Sequence, residues 1–174
     1  MMRVLGVVLA GGQSRRFGSD KALADLSGRT LLDRAVATLA RQCDAVVVAG
    51  RDAIADRPRA AMGPLGGLNG ALHHAAARGF AAVLSIPVDG LDLPADLVAE
   101  LSPAPAFVAT APVIGLWPIT VRDALDEFLA RDCVHSVRGF AAQIGARAVT
   151  LSRLPANINT PADLAAIKDH AHGL

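Results

Sequence analysis

Aromatic residues are almost missing from this chain of 174 residues: they make up 3%, with no tyrosine and a single tryptophan. Proteins that hold single-stranded nucleic acid do so largely by stacking bases on aromatic rings, so that class is excluded. A net charge of only +1 also removes any general attraction to phosphate backbones or anionic lipid. Cysteine is equally scarce. Cys43 and Cys133 have no metal-ligand spacing and build no disulfide framework, and they are expected as buried or free thiols of a cytoplasmic protein. No apolar run approaches the ~20 residues needed to span a bilayer, so no membrane association is expected. The opening "MMRVLGVVLA" imitates an export signal poorly, because its start is not strongly basic and its apolar run is at the lower limit for one.

What the chain does contain is apolar sequence, at 52% hydrophobic and 19% charged residues, which makes it globular. Its length fits one domain over residues 1–174, and neither a linker nor an internal repeat divides it. Residues 3–9 are Val-rich and almost continuously apolar, which predicts a strand buried on both faces. Leu31, Leu32, Ala35, Val36 and Leu39 recur at helical spacing. Further strands are predicted at 44–50 and 81–86, one or two within 107–119, and a late one at 146–151. Helices are predicted over 65–78, after Pro94, over 121–130 and over 136–144. Thr160, Pro161 and Asp163 open a last helix as capping residue, first-turn proline and capping-box acid. This alternation predicts a three-layer α/β/α fold on a Rossmann-like, mostly parallel sheet. Ligands of such folds bind beyond the carboxyl ends of the strands.

The segment "LAGGQSRRFGSDK" (Leu9 to Lys21) lies at that edge, directly after the first strand. Successive backbone N–H groups in a glycine-rich turn can converge on an anion, because no Cβ blocks the approach. Arg15, Arg16 and Lys21 add positive charge beside it. Two familiar phosphate motifs do not fit. A Walker loop needs four residues between its glycines and then G-K-[ST], whereas Gly12 and Gly18 enclose five and "SDK" follows; G-x-G-x-x-G is absent too.

Taken whole, "LAGGQSRRFGSDKALADLSGRTLL" resembles the nucleotide-binding signature of the MobA-like nucleotidyltransferases, with Phe17 where a Met is usual. Three more segments continue the resemblance in order. "GPLGGL" (Gly63 to Leu68) is similar to the family's G-P-L-A-G-[LM], with Asp56 at the position of an aspartate associated with the guanine nucleoside. "SIPVDGLDLP" places Asp89 on the metal-binding aspartate, and "NINTPADL" (Asn157 to Leu164) resembles a segment assigned to the pterin side. The four span Leu9 to Leu164.

The resemblance implies a fold of the nucleotide-diphospho-sugar transferase type and an enzyme of molybdenum cofactor biosynthesis. That enzyme transfers GMP from GTP to molybdopterin or Mo-molybdopterin and releases pyrophosphate. Leu9, Ala10, Gly11, Gly12, Lys21, Asp56, Gly63, Pro64, Leu65 and Asp89 are then nucleotide-binding candidates. Lys21, Arg16 and Asp89 are the catalytic ones, and Asp89 is the ligand of Mg²⁺, a hard cation suited to carboxylate and phosphate oxygens. Asn157 and Asn159 are acceptor-binding candidates that could equally organise the turn before the last helix. Implied partners are GTP, the pterin, and cofactor-insertion proteins or apo-molybdoenzymes, with no nucleic acid. Asp20 reads as an orienting residue of the loop, and Asp92 as a cap for the helix after Pro94 or a neighbour of the metal. His73, His74, His170 and His172 match no ligand pattern.

Two departures fall on the acceptor side. Leu91 stands where a proline is usual, and His135 and Ser136 stand where an arginine is expected, with Arg138 nearby to compensate. Two other readings remain open. A cytidylyltransferase of the superfamily typically has L-A-A-G in place of "LAGG", so Gly11 favours guanine by resemblance. A non-catalytic nucleotide-binding protein for assembly or regulation would not need both Lys21 and Asp89. Sugar-phosphate nucleotidyltransfer lacks its G-T-R-L-x-P signature here.

Overall fold

The computed structural model of the chain describes residues 2–11, 20–50, 54–153 and 156–157. Gly12, Arg15, Arg16, Asn159, the helix expected from Thr160, and His170 and His172 lie outside these residues. The elements in order are β1 (Val4–Leu9), a hairpin of β2 (Asp25–Leu26) and β3 (Arg29–Thr30), α1 (Leu31–Ala40), β4 (Ala45–Ala49) and α2 (Gly63–Ala77). Then follow β5 (Ala82–Pro87), β6 (Gly90–Leu91), α3 (Leu97–Glu100), β7 (Ala106–Val108), β8 (Ala111–Pro118), α4 (Arg122–Leu129), α5 (Val137–Gln143), β9 (Arg147–Val149) and β10 (Ala156–Asn157).

Six strands form one sheet in the order β4-β1-β5-β8-β7-β9. β1 pairs in parallel with β4 and β5, and β7 with β9, while β8 runs antiparallel to both of its neighbours. Five strands therefore point one way, as the alternation of strand and helix predicts. Alternate side chains go to opposite faces, which explains why the strands read as unbroken apolar runs. Leu5, Val7, Val83, Phe107 and Trp117 face α2, α4 and α5. Val4, Val8, Leu84, Ile86 and Leu116 face α1 and α3 on the other side.

One buried polar side chain interrupts this apolar pattern. Ser85 is fully buried on β5; its hydroxyl donates to the Val113 carbonyl at 2.6 Å and accepts from Trp117 Nε1 at 3.0 Å. The indole packs against Phe140, with ring centroids 6.0 Å apart. Trp117 thus buries its ring area while its N–H stays satisfied.

Two features differ from the sequence expectation. The hairpin was not anticipated, because two-residue strands are too short to show a period. Its turn uses positive φ at Ser27 (54°) and Gly28 (79°), the geometry preferred for tight hairpins. Thr30 then caps α1 by accepting from Asp33 N at 3.0 Å. Asp92 does not cap the helix after Pro94. It takes a left-handed backbone conformation (φ 56°), and α3 begins only at Leu97, after Asp96, whose side chain makes no capping bond.

Ser85→Ala should leave the buried indole N–H unpaired and cost about 1–3 kcal/mol of stability. Urea unfolding followed by the fluorescence of Trp117 measures this, and an unchanged midpoint would contradict the assigned bond.

Candidate active site

β1, β4 and β5 run in parallel and release their chains at the same edge of the sheet, and that edge carries the candidate residues. Leu9 ends β1, Ala49 ends β4, and Asp89 lies just beyond the end of β5. The exit of β1 is tied to that of β4 by the bond from Ala10 N to the Ala49 carbonyl, 3.1 Å. Gly50 follows with φ 84°, and its N–H donates to the Ile54 carbonyl at 3.3 Å. A Cβ on Gly50 would stand 2.4 Å from Gly11 Cα and 2.5 Å from Gly11 N, closer than real atoms approach. Residue 50 must be glycine for the loop after β1 to start where it does. Sequence reading missed this position, since its contact lies about forty residues away along the chain.

A shallow cleft opens beside this crossing, lined by Leu9, Gly11, Ala49, Asp56, Gly63, Pro64 and Gly67. Five of these, Leu9, Gly11, Asp56, Gly63 and Pro64, are candidates from the sequence. The segment before α2 can lie flat on that helix because α2 is bare there. A Cβ at Gly70 would meet the Ala55 carbonyl oxygen at 2.3 Å, and one at Gly66 would meet Met62 Cβ at 2.5 Å. This contact holds Asp56 in place, where its Oδ2 accepts from Met62 N at 3.2 Å. Leu65 is a different case. It is buried in the core under α2 and does not line the cleft.

Lys21 Nζ and Asp89 Oδ2 meet at 2.5 Å, with both side chains largely sequestered at 13% and 15% exposure. They come from separate segments, Lys21 from the turn leading into the hairpin and Asp89 from just beyond the end of β5. Asp20 starts that turn, its Oδ1 accepting from Ala22 N at 3.2 Å, in keeping with an orienting role. β10 pairs with β6 so that Asn157 stands opposite Gly90, the residue after Asp89. The acceptor-side candidate is therefore placed next to the acid–base pair by backbone pairing.

Among the described residues, no group of three or more His, Cys, Asp or Glu side chains could hold a metal ion. A lone strand-end carboxylate suits an ion that takes most of its ligands from phosphate and water, as magnesium does. It does not suit a closed all-protein metal site. The cysteines take no part. Cys43 is free, and burial and then the neighbouring Asp44 push its thiol up to about 12, which leaves it inert; Cys133 is free and exposed.

The three acceptor-side positions weighed from the sequence are engaged locally. Ser136 caps α5 by accepting from Gly139 N at 3.0 Å. His135 Nε2 meets the Arg131 carbonyl at 3.0 Å, and Arg138 donates to the carbonyl of Ala109, just past the end of β7. Because β7 points the same way as β1 and β5, Arg138 stands at the active-site edge. His73, given no chemistry from the sequence, meets Asp126 Oδ2 at 2.8 Å, and Asn69 Nδ2 donates to the other oxygen at 2.7 Å. Burial pushes the Asp126 carboxyl up, but the bonds from Asn69 and His73 outweigh it and hold the group below its ordinary value. This cluster ties α2 to α4 behind the cleft.

An α/β domain with a glycine-shaped cleft and a lysine–aspartate pair at the carboxyl edge of its parallel strands belongs to the nucleotide-binding class, of nucleotide-diphospho-sugar transferase type. The chain belongs to the MobA-like NTP transferase family, whose domain model matches residues 6–157. It is 43% identical to the molybdenum cofactor guanylyltransferase of Acidiphilium cryptum (strain JF-5), over 91% of this chain and 90% of that protein. It is 37% identical to the molybdenum cofactor guanylyltransferase of Rhodobacter capsulatus, over 97% and 96%. Its fold superposes on the molybdopterin-guanine dinucleotide biosynthesis protein A of Archaeoglobus fulgidus with a TM-score of 0.74. That match covers 98% of this chain and all (100%) of that one, at 18% identity.

Gly50→Ala should weaken GTP binding by about tenfold, since a side chain in left-handed conformation costs roughly 1–2 kcal/mol even before the clash with Gly11. Isothermal titration calorimetry with GTP measures this. An unchanged affinity in a folded variant would remove the glycine crossing from the site.

Proposed function

We propose that the protein transfers GMP from GTP to the phosphate of molybdopterin or Mo-molybdopterin, giving the guanine dinucleotide form of the molybdenum cofactor. A phosphate oxygen of the acceptor forms a bond to the α-phosphorus, the bond to the β-phosphate bridging oxygen breaks, and pyrophosphate leaves. The observation that carries this reading is the Lys21–Asp89 pair at the sheet edge where β1 and β5 end, in a chain so closely related to guanylyltransferases.

The barrier arises from bringing anions together and from charge gathering on the transferred phosphoryl oxygens, which fixed donors and cations relieve. Backbone N–H groups at Gly11 and Gly12 hold phosphate oxygens, and Lys21 neutralises charge there once it leaves Asp89. Arg16, and secondarily Arg15, are further cations that we assign to the same phosphates. Asp89 would hold Mg²⁺, which would supply charge neutralisation of the triphosphate and Lewis-acid assistance. No protein nucleophile is required, because the acceptor is already an anion.

Guanine presents adjacent N–H donors that one carboxylate can accept, and cytosine does not. One oxygen of Asp56 is held by Met62 N, and the other is left for the base, with backbone groups of Leu9 and Ala10 beside it. Gly63 and Pro64, at the start of α2, close the nucleoside side. Leu65 acts by anchoring that helix in the core. Asn157 and Asn159 are the residues we assign to the pterin, with Arg138 as a further acceptor-side residue. The reaction belongs in the cytoplasm, and its product passes to cofactor-insertion proteins or apo-molybdoenzymes. No helix among the described residues is long and apolar enough to cross a membrane.

GTP should be turned over in clear preference to CTP, since each mismatched buried polar group costs roughly 1–3 kcal/mol. Incubating the protein with Mo-molybdopterin, Mg²⁺ and each triphosphate, then identifying the products by mass spectrometry, tests this. Equal turnover of CTP would overturn the guanylyl assignment.

Asp89→Asn should lower Mg²⁺-dependent turnover by roughly 10²–10³-fold, by analogy with losing one preorganised electrostatic element. GTP affinity without metal should not fall, because the substitution also frees Lys21. Near-normal turnover by the folded variant would refute the metal role, and Lys21→Ala should weaken both binding and turnover.

A further inference from the structure

A second opening, larger than the nucleotide cleft, lies on the α1 face of the sheet and is used by none of the chemistry above. Its volume is about 540 Å³, and its walls are the hairpin, α1, the segment from β6 to Leu93, and Arg153. Four arginines line it, Arg29, Arg34, Arg41 and Arg153, against one acid, Asp92. In a chain of net charge +1 this is a concentrated excess. Arg29, Arg41 and Arg153 are exposed and form no ion pair among the described residues. Arg34 is held differently, its Nε and Nη2 both donating to the Leu26 carbonyl.

Two of the charges are well separated. Arg34 on α1 and Arg41, the residue that ends that helix, lie seven residues apart, about 10 Å along the helix axis. Arg34 is pinned to the hairpin backbone and cannot swing toward Arg41 to close on a compact anion. Leu26 and Leu91 supply apolar floor between the guanidinium groups. A linear polyanion with some apolar contact fits this arrangement better than a single phosphate does. Nucleic acid is disfavoured because no aromatic ring lines the groove to stack a base. Asp92 opposes any anion, but it can also accept from the backbone N–H groups of a peptide, which a phosphodiester lacks. Arginine also matches carboxylates bidentately.

We propose that this groove is a docking site for an extended acidic segment of a partner protein. A segment seated there lies against β6, whose first residue follows Asp89 and pairs with Asn157. The partner is thereby delivered beside the acceptor side of the active site. The groove does not depend on which nucleotide the enzyme uses.

Fluorescence anisotropy with a labelled oligoglutamate of about six residues, long enough in extended form to pass both Arg34 and Arg41, tests the site. The full-length protein should bind it saturably, and Arg41→Glu or Arg153→Glu should each weaken binding about tenfold. Arg78→Glu carries the same charge change at the end of α2 on the opposite face and should alter it less than twofold. Absence of saturable binding, or an equal loss in Arg78→Glu, would overturn the proposal. So would tighter binding of an oligothymidylate of equal charge, or displacement by inorganic phosphate at constant ionic strength. GMP transfer to free acceptor should be unchanged in the groove variants. Failure of that transfer in the unmodified protein would count against the proposed function and leave the groove assignment standing.

Discussion

Parallel pairing of β4, β1 and β5 is the constraint from which the rest of the structure follows. Parallel neighbours need a crossover between them, so each chain must leave the sheet at the same edge and return along a helix. Three strand exits are crowded into one small region as a result, and the backbone there has to pass within contact distance of itself. Gly11 and Gly50 are where that crossing occurs. The nucleotide cleft is the space left over between the crossing and the start of α2. Asp89 stands at the same edge because β5 stops in register with β1, Leu9 standing opposite Pro87.

Opposite charges meet directly in the contact of Lys21 with Asp89. It satisfies two groups that would otherwise be partly buried and unpaired, a costly state in a low-dielectric setting. Each would exchange its protein partner for a ligand of the same sign as that partner, Lys21 for phosphate and Asp89 for a cation. Binding then becomes an exchange of ion pairs within the site. Its free energy is smaller than two new contacts would suggest, and so is its dependence on bulk salt.

Much of this was legible in the sequence, for reasons that can be located. Strands buried on both faces write continuous apolar runs, so the strands over 4–9, 45–49 and 82–87 stood out, and helix spacing marked α1. Leu9, Gly11, Asp56, Gly63 and Pro64 were named together and line one cleft. Lys21 and Asp89, sixty-eight residues apart in sequence, proved to be in contact. The hairpin escaped because its strands are two residues long. Gly50 escaped because an Ala-Gly pair at a strand end looks like any turn, and its necessity comes from Gly11 in the loop after a neighbouring strand. Leu65 was read as part of a motif whose outward residues touch the cleft, yet helix geometry turns it inward. The arginine groove was invisible because its four guanidinium groups come from distant segments with no spacing to link them.

The bareness of α2 has a consequence for how the molecule comes together. Glycine in a helix interior disfavours the helix by roughly 1 kcal/mol relative to alanine. Gly66, Gly67 and Gly70 all fall in the interior of this one element of 15 residues. Such a segment has little tendency to be helical alone and is held in shape by the sheet below it and by residues 54–57 across it. The wall of the cleft therefore depends on the core for its shape. Site and core form one cooperative unit, so a bound nucleotide acts on the stability of the whole domain rather than on a local flap.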